Sequence, residues 1–218
     1  MTLKNYIQNK KTNHFRVGAI DVYISDPHPQ DVDTKLAIKK SLQKIPTHLL
    51  RNIKSIKVGN FAQLNNRSIQ ALYDKQTIVL SNKHTTTEDI VDDIIHEVAH
   101  SVEEIYGQKI YSDGKIEKEF LLKRKMLWQK LKQAGFEKPL DLFLNVEYTK
   151  ELDHFLYMIV GYGVMRSLSL NLFYSPYAAT SLREYFANAF EAFFMKEDIS
   201  RIKSVSPSVY EKLETLMR

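Results

Sequence analysis

The chain has 218 residues, 44% of them hydrophobic and 26% charged, a balance that supplies one ordinary domain core and excludes a disordered or fibrous chain. The formal charge of +5 is dispersed, and its longest basic cluster, Lys123-Arg124-Lys125, reads as the wet side of an amphipathic helix, so nucleic acid is not an expected partner. There is no cysteine, which excludes disulfides, thiolate ligands and thiol nucleophiles; a metal site must be built from His, Asp or Glu.

Residues 1–16 are polar and basic and are expected to form a flexible or extended arm, with residues 17–218 forming a single domain. The first six residues hold no apolar run and no small-residue cleavage site, so they are not read as a signal peptide. Cytoplasmic residence, delivery, or secretion after removal of a leader all stay open. Residues 19–24 alternate and predict a strand, and residues 31–45 show helical spacing that stops at Pro46. Residues 53–58 predict a second strand. Residues 68–72 and 76–80 predict a hairpin turning at Tyr73-Asp74-Lys75. Its second arm, Thr77-Ile78-Val79-Leu80, is either a sheet edge able to pair with an extended peptide or an internal strand.

The next helix carries the chemistry. Thr85 and Glu88 have capping-box spacing, and the pattern Ile90, Val91, Ile94, Ile95, Val98, Val102 predicts a buried stripe running to about Tyr106. Residues 115–135, 139–144 and 148–160 read as helices, with Gly161 and Gly163 marking a break. Gly161, Gly163 and Arg166 also interrupt the longest apolar stretch, so no membrane span is expected. Residues 181–195 form a strongly apolar helix and residues 207–217 a last short one, with Ser206 as N-cap. Strands before about residue 106 and helices after it predict an α+β fold. It comprises a small mixed sheet with an active-site helix over about 17–106, then a mainly helical lobe over about 107–218.

Within the active-site helix stands His96-Glu97-Val98-Ala99-His100. Positions i and i+4 lie on one helical face, one turn apart, so both imidazoles can reach one metal ion. Glu97 sits beside that face, where it can hold and deprotonate a water molecule. A catalytic zinc takes three protein ligands. An extension with a further histidine six residues on and a glycine midway is absent, since Tyr106 and Glu103 occupy those places. His154 is the one histidine downstream. Glu184 is the better third ligand, because a glutamate entering an apolar helix has a desolvation problem that zinc solves. The plain alternative is an exposed glutamate favoured by the helix dipole. Asn188, one turn later, could orient the Glu184 carboxylate or a ligand histidine, and Glu191 on the same face is a reserve ligand.

The pentapeptide, a long gap, then Glu184-Tyr185-Phe186-Ala187-Asn188-Ala189-Phe190 resembles the catalytic domain of anthrax lethal factor and the related secreted Pro-Pro endopeptidases, which are zincins. The resemblance runs from the motif helix to the Glu184 helix. It implies a zincin-like fold, one zinc ion held by His96, His100 and Glu184, and endopeptidase action on a protein or peptide with Glu97 as base. In that family a tyrosine seven residues before the ligand glutamate serves the oxyanion, which implies that role for Tyr177; Tyr174 and Tyr185 are other possible donors. Lethal factor has a glycine where this chain has Ala99, a small, helix-favouring change. Two other readings stand beside it: a SprT-like protease acting on DNA-bound proteins, with His154 as third ligand, and a degenerate zincin serving as a binding module.

Overall fold

In the computed structural model residues 13–29, 31–196 and 199–217 are described. The chain divides into two compact units, Met1–Ile105 and Tyr106–Arg218. The fold is α+β, with a small mixed sheet and otherwise mostly helices.

The first unit holds strands β1 (His14–Val17), β2 (Ile20–Ile24), β3 (Ser55–Gly59), β4 (Ala71–Asp74) and β5 (Thr77–Ser81). It also holds helices α1 (Thr34–Lys44) and α2 (Ala62–Asn65), and most of α3 (Thr87–Tyr111). The strand order is β1-β2-β3-β5-β4. The β2–β3 and β3–β5 pairs are parallel, and the two outer pairs are antiparallel. Register aligns Val22, Ile56 and Ile78 in one row and Ile24, Val58 and Leu80 in the next, so one face is apolar throughout. Strand β1 occupies the last residues of the predicted arm; residues 1–12 of that arm lie outside the described residues.

Strand β5 lies between β3 and β4, so of the two readings of Thr77-Ile78-Val79-Leu80 the internal strand holds and the peptide-pairing edge does not; among the described residues the edges are β1 and β4. The hairpin turn is also shifted. Tyr73 and Asp74 belong to β4, and the turn is Lys75-Gln76, with φ of 44° and 67°. Both residues take the left-handed conformation of a type I′ turn without glycine or asparagine. Outside bonds hold it there: the Gln76 carbonyl accepts from the Lys54 N–H at 2.8 Å and the Gln76 amide donates to Asn52 at 3.1 Å.

The stripe of α3 is fully buried from Ile90 through Val102. Thr86, not Thr85, caps its first turn, accepting from the Asp89 N–H at 3.1 Å. The helix runs five residues past the predicted end. Gly107 costs about 1 kcal/mol in a helix interior, but Ile110 beyond it is completely buried and offsets that.

The second unit holds α4 (Lys115–Gln133), α5 (Leu140–Leu144), α6 (Lys150–His154), α7 (Tyr162–Leu168), α8 (Leu182–Met195), α9 (Ile199–Val205) and α10 (Pro207–Leu216). The predicted helix over 148–160 is α6 followed by a π-helical turn, Phe155–Val160, which ends at Gly161 with φ of 81°. A short helix, α7, follows at once, so the break falls at Gly161 and Gly163 lies inside α7. Ser206 occupies the N-cap of α10 but makes no capping bond through its side chain.

Arg124 overturns the reading of its cluster as wholly solvated. It is fully buried, and among the described residues it meets no carboxylate. Its guanidinium donates to the carbonyls of Phe143 (3.0 Å), Leu142 (3.1 Å), Asn145 (3.2 Å) and Ala179 (2.6 Å). Burial pulls it down to about 10, so it stays charged at neutral pH. No helix among the described residues is long and apolar enough to cross a membrane.

Candidate metal centre

His96 and His100 lie one turn apart on α3, with ring centroids 5.2 Å apart. Glu103, one turn further, is buried and its Oε2 lies 2.9 Å from His100 Nδ1. A carboxylate accepts, so His100 carries its proton on Nδ1 and presents the lone pair on Nε2, the tautomer a metal ligand needs. In sequence Glu103 stands out only as the residue in the glycine place of the absent extended motif; its three-residue offset from His100 is the signal for this contact.

Glu97 is buried, and its Oε2 accepts from the main-chain N–H of Tyr73 at 2.6 Å. The Tyr73 hydroxyl donates to Glu104 on the same helix and accepts from Asn52 at 2.7 Å. Burial, then the Glu104 bond, push that hydroxyl up to about 12.

Glu184 stands in the first turn of α8. Ser181 is the N-cap, its hydroxyl accepting from the Glu184 N–H at 3.2 Å. Asn188 donates to the main-chain carbonyl of Glu184 at 3.0 Å and accepts from Ser175 at 2.5 Å. It therefore ties the segment before Tyr177 to α8, and the Glu184 carboxylate is not among its partners.

Tyr177 opens a short 3-10 turn, Tyr177–Ala179, whose end is gripped by Arg124. Burial, then the charge of Glu184, hold its hydroxyl well above the ordinary range, so it remains a donor at any working pH. Tyr162, unremarked in the sequence, is also raised by burial and feels Glu184. Tyr185 is excluded as an oxyanion donor: its buried hydroxyl is committed to Glu119 at 2.6 Å and to the Val205 carbonyl at 3.0 Å. Tyr174 packs its ring against Arg201, at 4.3 Å.

His96, His100 and Glu184 form a group that could hold a metal ion, with one ligand atom from each within 4.8 Å of the others. Among the described residues no other group of three or more qualifies; His154 is exposed at the end of α6, and neither it nor Glu191 belongs to the group. Two imidazoles and a carboxylate make a borderline donor set suited to zinc. A concavity of about 470 Å³ lined by Lys57, Asp74, Lys75 and Thr77 contains none of these residues. No protein-family model matches the chain, and neither a curated protein nor a solved structure matches it.

Proposed function

We propose that this protein is a zinc-dependent endopeptidase of the zincin kind, resembling lethal factor in its ligand set. The observation that carries the reading is the group His96, His100 and Glu184, with Glu97 on the same helix as the two histidines. Zinc held by these three residues would supply Lewis acidity toward a water molecule and the scissile carbonyl. Glu97 takes the proton of the attacking water and passes it to the leaving amine. Tyr177, kept protonated by burial, donates to the oxyanion. Glu103 keeps His100 in its ligating tautomer.

The test is cleavage of a random peptide library by the zinc-loaded protein beside Glu97→Ala. Wild type should cut internal peptide bonds, while Glu97→Ala should retain fold and zinc and lose turnover, because the base is not a ligand. A library left uncut by wild type, or cut equally by the variant, overturns the proposal.

A further inference from the structure

Tyr73 belongs to the edge strand β4, and the hairpin register dictates where its main chain points. Asp74 and Thr77 close the two-residue turn as a hydrogen-bonded pair, and in an antiparallel ladder such pairs alternate with non-bonded ones. Leu72 therefore bonds to β5, as Gln70 does: its carbonyl accepts from the Ser81 N–H at 2.7 Å. Tyr73, paired with Ile78, sends its N–H away from β5. That outward N–H is the one that meets Glu97 at 2.6 Å.

The same residue touches α3 a second time. Glu104 lies seven residues beyond Glu97, two turns along one face, and it accepts from the Tyr73 hydroxyl. Asn52 and the Gln76 N–H, at 2.7 and 3.2 Å, bond that hydroxyl as well. Main chain and side chain of Tyr73 thus seat the strand on the helix at two points. A slip of one residue would replace the outward N–H with one already used by β5.

We propose that the main-chain N–H of Tyr73 is a positioning donor for Glu97, and that the Tyr73 hydroxyl network keeps that N–H in register. This rests on the endopeptidase reading. A glutamate side chain turns about three bonds, and a base must hold its geometry to well within an ångström. A short, charge-assisted bond to one oxygen fixes the carboxylate plane and so the aim of the second oxygen.

The decisive variant replaces Tyr73 by its α-hydroxy-acid analogue, an amide-to-ester change in the full chain that removes the N–H and keeps the phenol. The zinc-loaded ester variant should lose kcat by about tenfold or more with KM and zinc content unchanged. Tyr73→Phe should lower the melting temperature more than the ester does and lower kcat less. An ester variant with wild-type kcat, or one that loses kcat and zinc together, overturns the proposal. If wild type cuts no library peptide, the endopeptidase reading fails by itself. In that case, or if the ester variant does not fold, the Tyr73 amide-proton resonance of wild type decides. A downfield, slowly exchanging signal that moves upfield in Glu97→Ala supports the positioning bond; a signal indifferent to Glu97→Ala overturns it.

Discussion

At the scale of single residues, the most informative side chains are those whose protonation is set by their bonds. Tyr177 is held protonated chiefly by burial. If it serves the oxyanion, Tyr177→Phe should lower kcat by about a hundredfold and leave zinc content unchanged. Steady-state kinetics beside elemental analysis checks this, and an unaltered kcat would remove Tyr177 from the chemistry. A second set lies away from the candidate centre. His84 Nδ1 lies 2.8 Å from the Ser81 carbonyl, and Nε2 lies 2.7 Å from Asp93. Both partners only accept, which favours the doubly protonated imidazolium of His84. His28 then accepts from His84 through Nε2 at 3.2 Å and donates through Nδ1 to Thr34 at 2.8 Å, which makes it neutral.

The titration follows from that assignment. Burial pushes His28 down from 6.5 to about 4, with the charge of His84 adding to it. Burial also works against His84, but the bond to Asp93 and its charge outweigh this and hold His84 above 6.5. His28 therefore contributes stability that is present above pH 6.5 and is lost as pH falls toward 4. His84 contributes stability that is complete below 6.5 and is lost as pH rises through its elevated value. Urea midpoints measured across pH should show both limbs in wild type. His28→Gln should flatten the acid limb, and His84→Gln the alkaline one.

At the scale of elements, periodicity made the parts built on a single repeated face legible. The alternation in β2 and the apolar stripe of α3 were visible because burial on one side writes a period of two or near four into the sequence. The hairpin turn was displaced because Lys75-Gln76 carries no glycine or asparagine; the contacts of Lys54 and Asn52 that hold it are distant in sequence. Arg124 was misread for a related reason. A charge amid charges looks solvated, and only the converging carbonyls of α5 and of the Tyr177–Ala179 turn explain its burial. Arg124→Met strips four bonds from buried carbonyls and should cost about 3 kcal/mol, while Arg124→Lys recovers only part because an ammonium cannot fork. Urea unfolding of the two variants checks this; a Met variant as stable as wild type would show that the carbonyls find other partners.

At the scale of the whole molecule, the candidate ligands were legible and their supports were not. His96 and His100 declare themselves by spacing, and Glu184 by its place in an apolar helix. Tyr73 and the Ser175–Asn188 bond act through tertiary contacts that leave no period behind, whereas Glu103 stands one helical turn past His100, an offset the sequence does carry. A ligand that binds only the folded chain stabilises it, so a metal held by this group would raise stability besides supplying the proposed chemistry. The most direct measurement is elemental analysis of the purified protein, wild type beside Glu184→Ala, after incubation with zinc and removal of excess. Wild type should hold about one zinc per chain, with the variant holding it weakly or not at all. No zinc in wild type, or zinc held equally by both proteins, would contradict the His96, His100 and Glu184 centre.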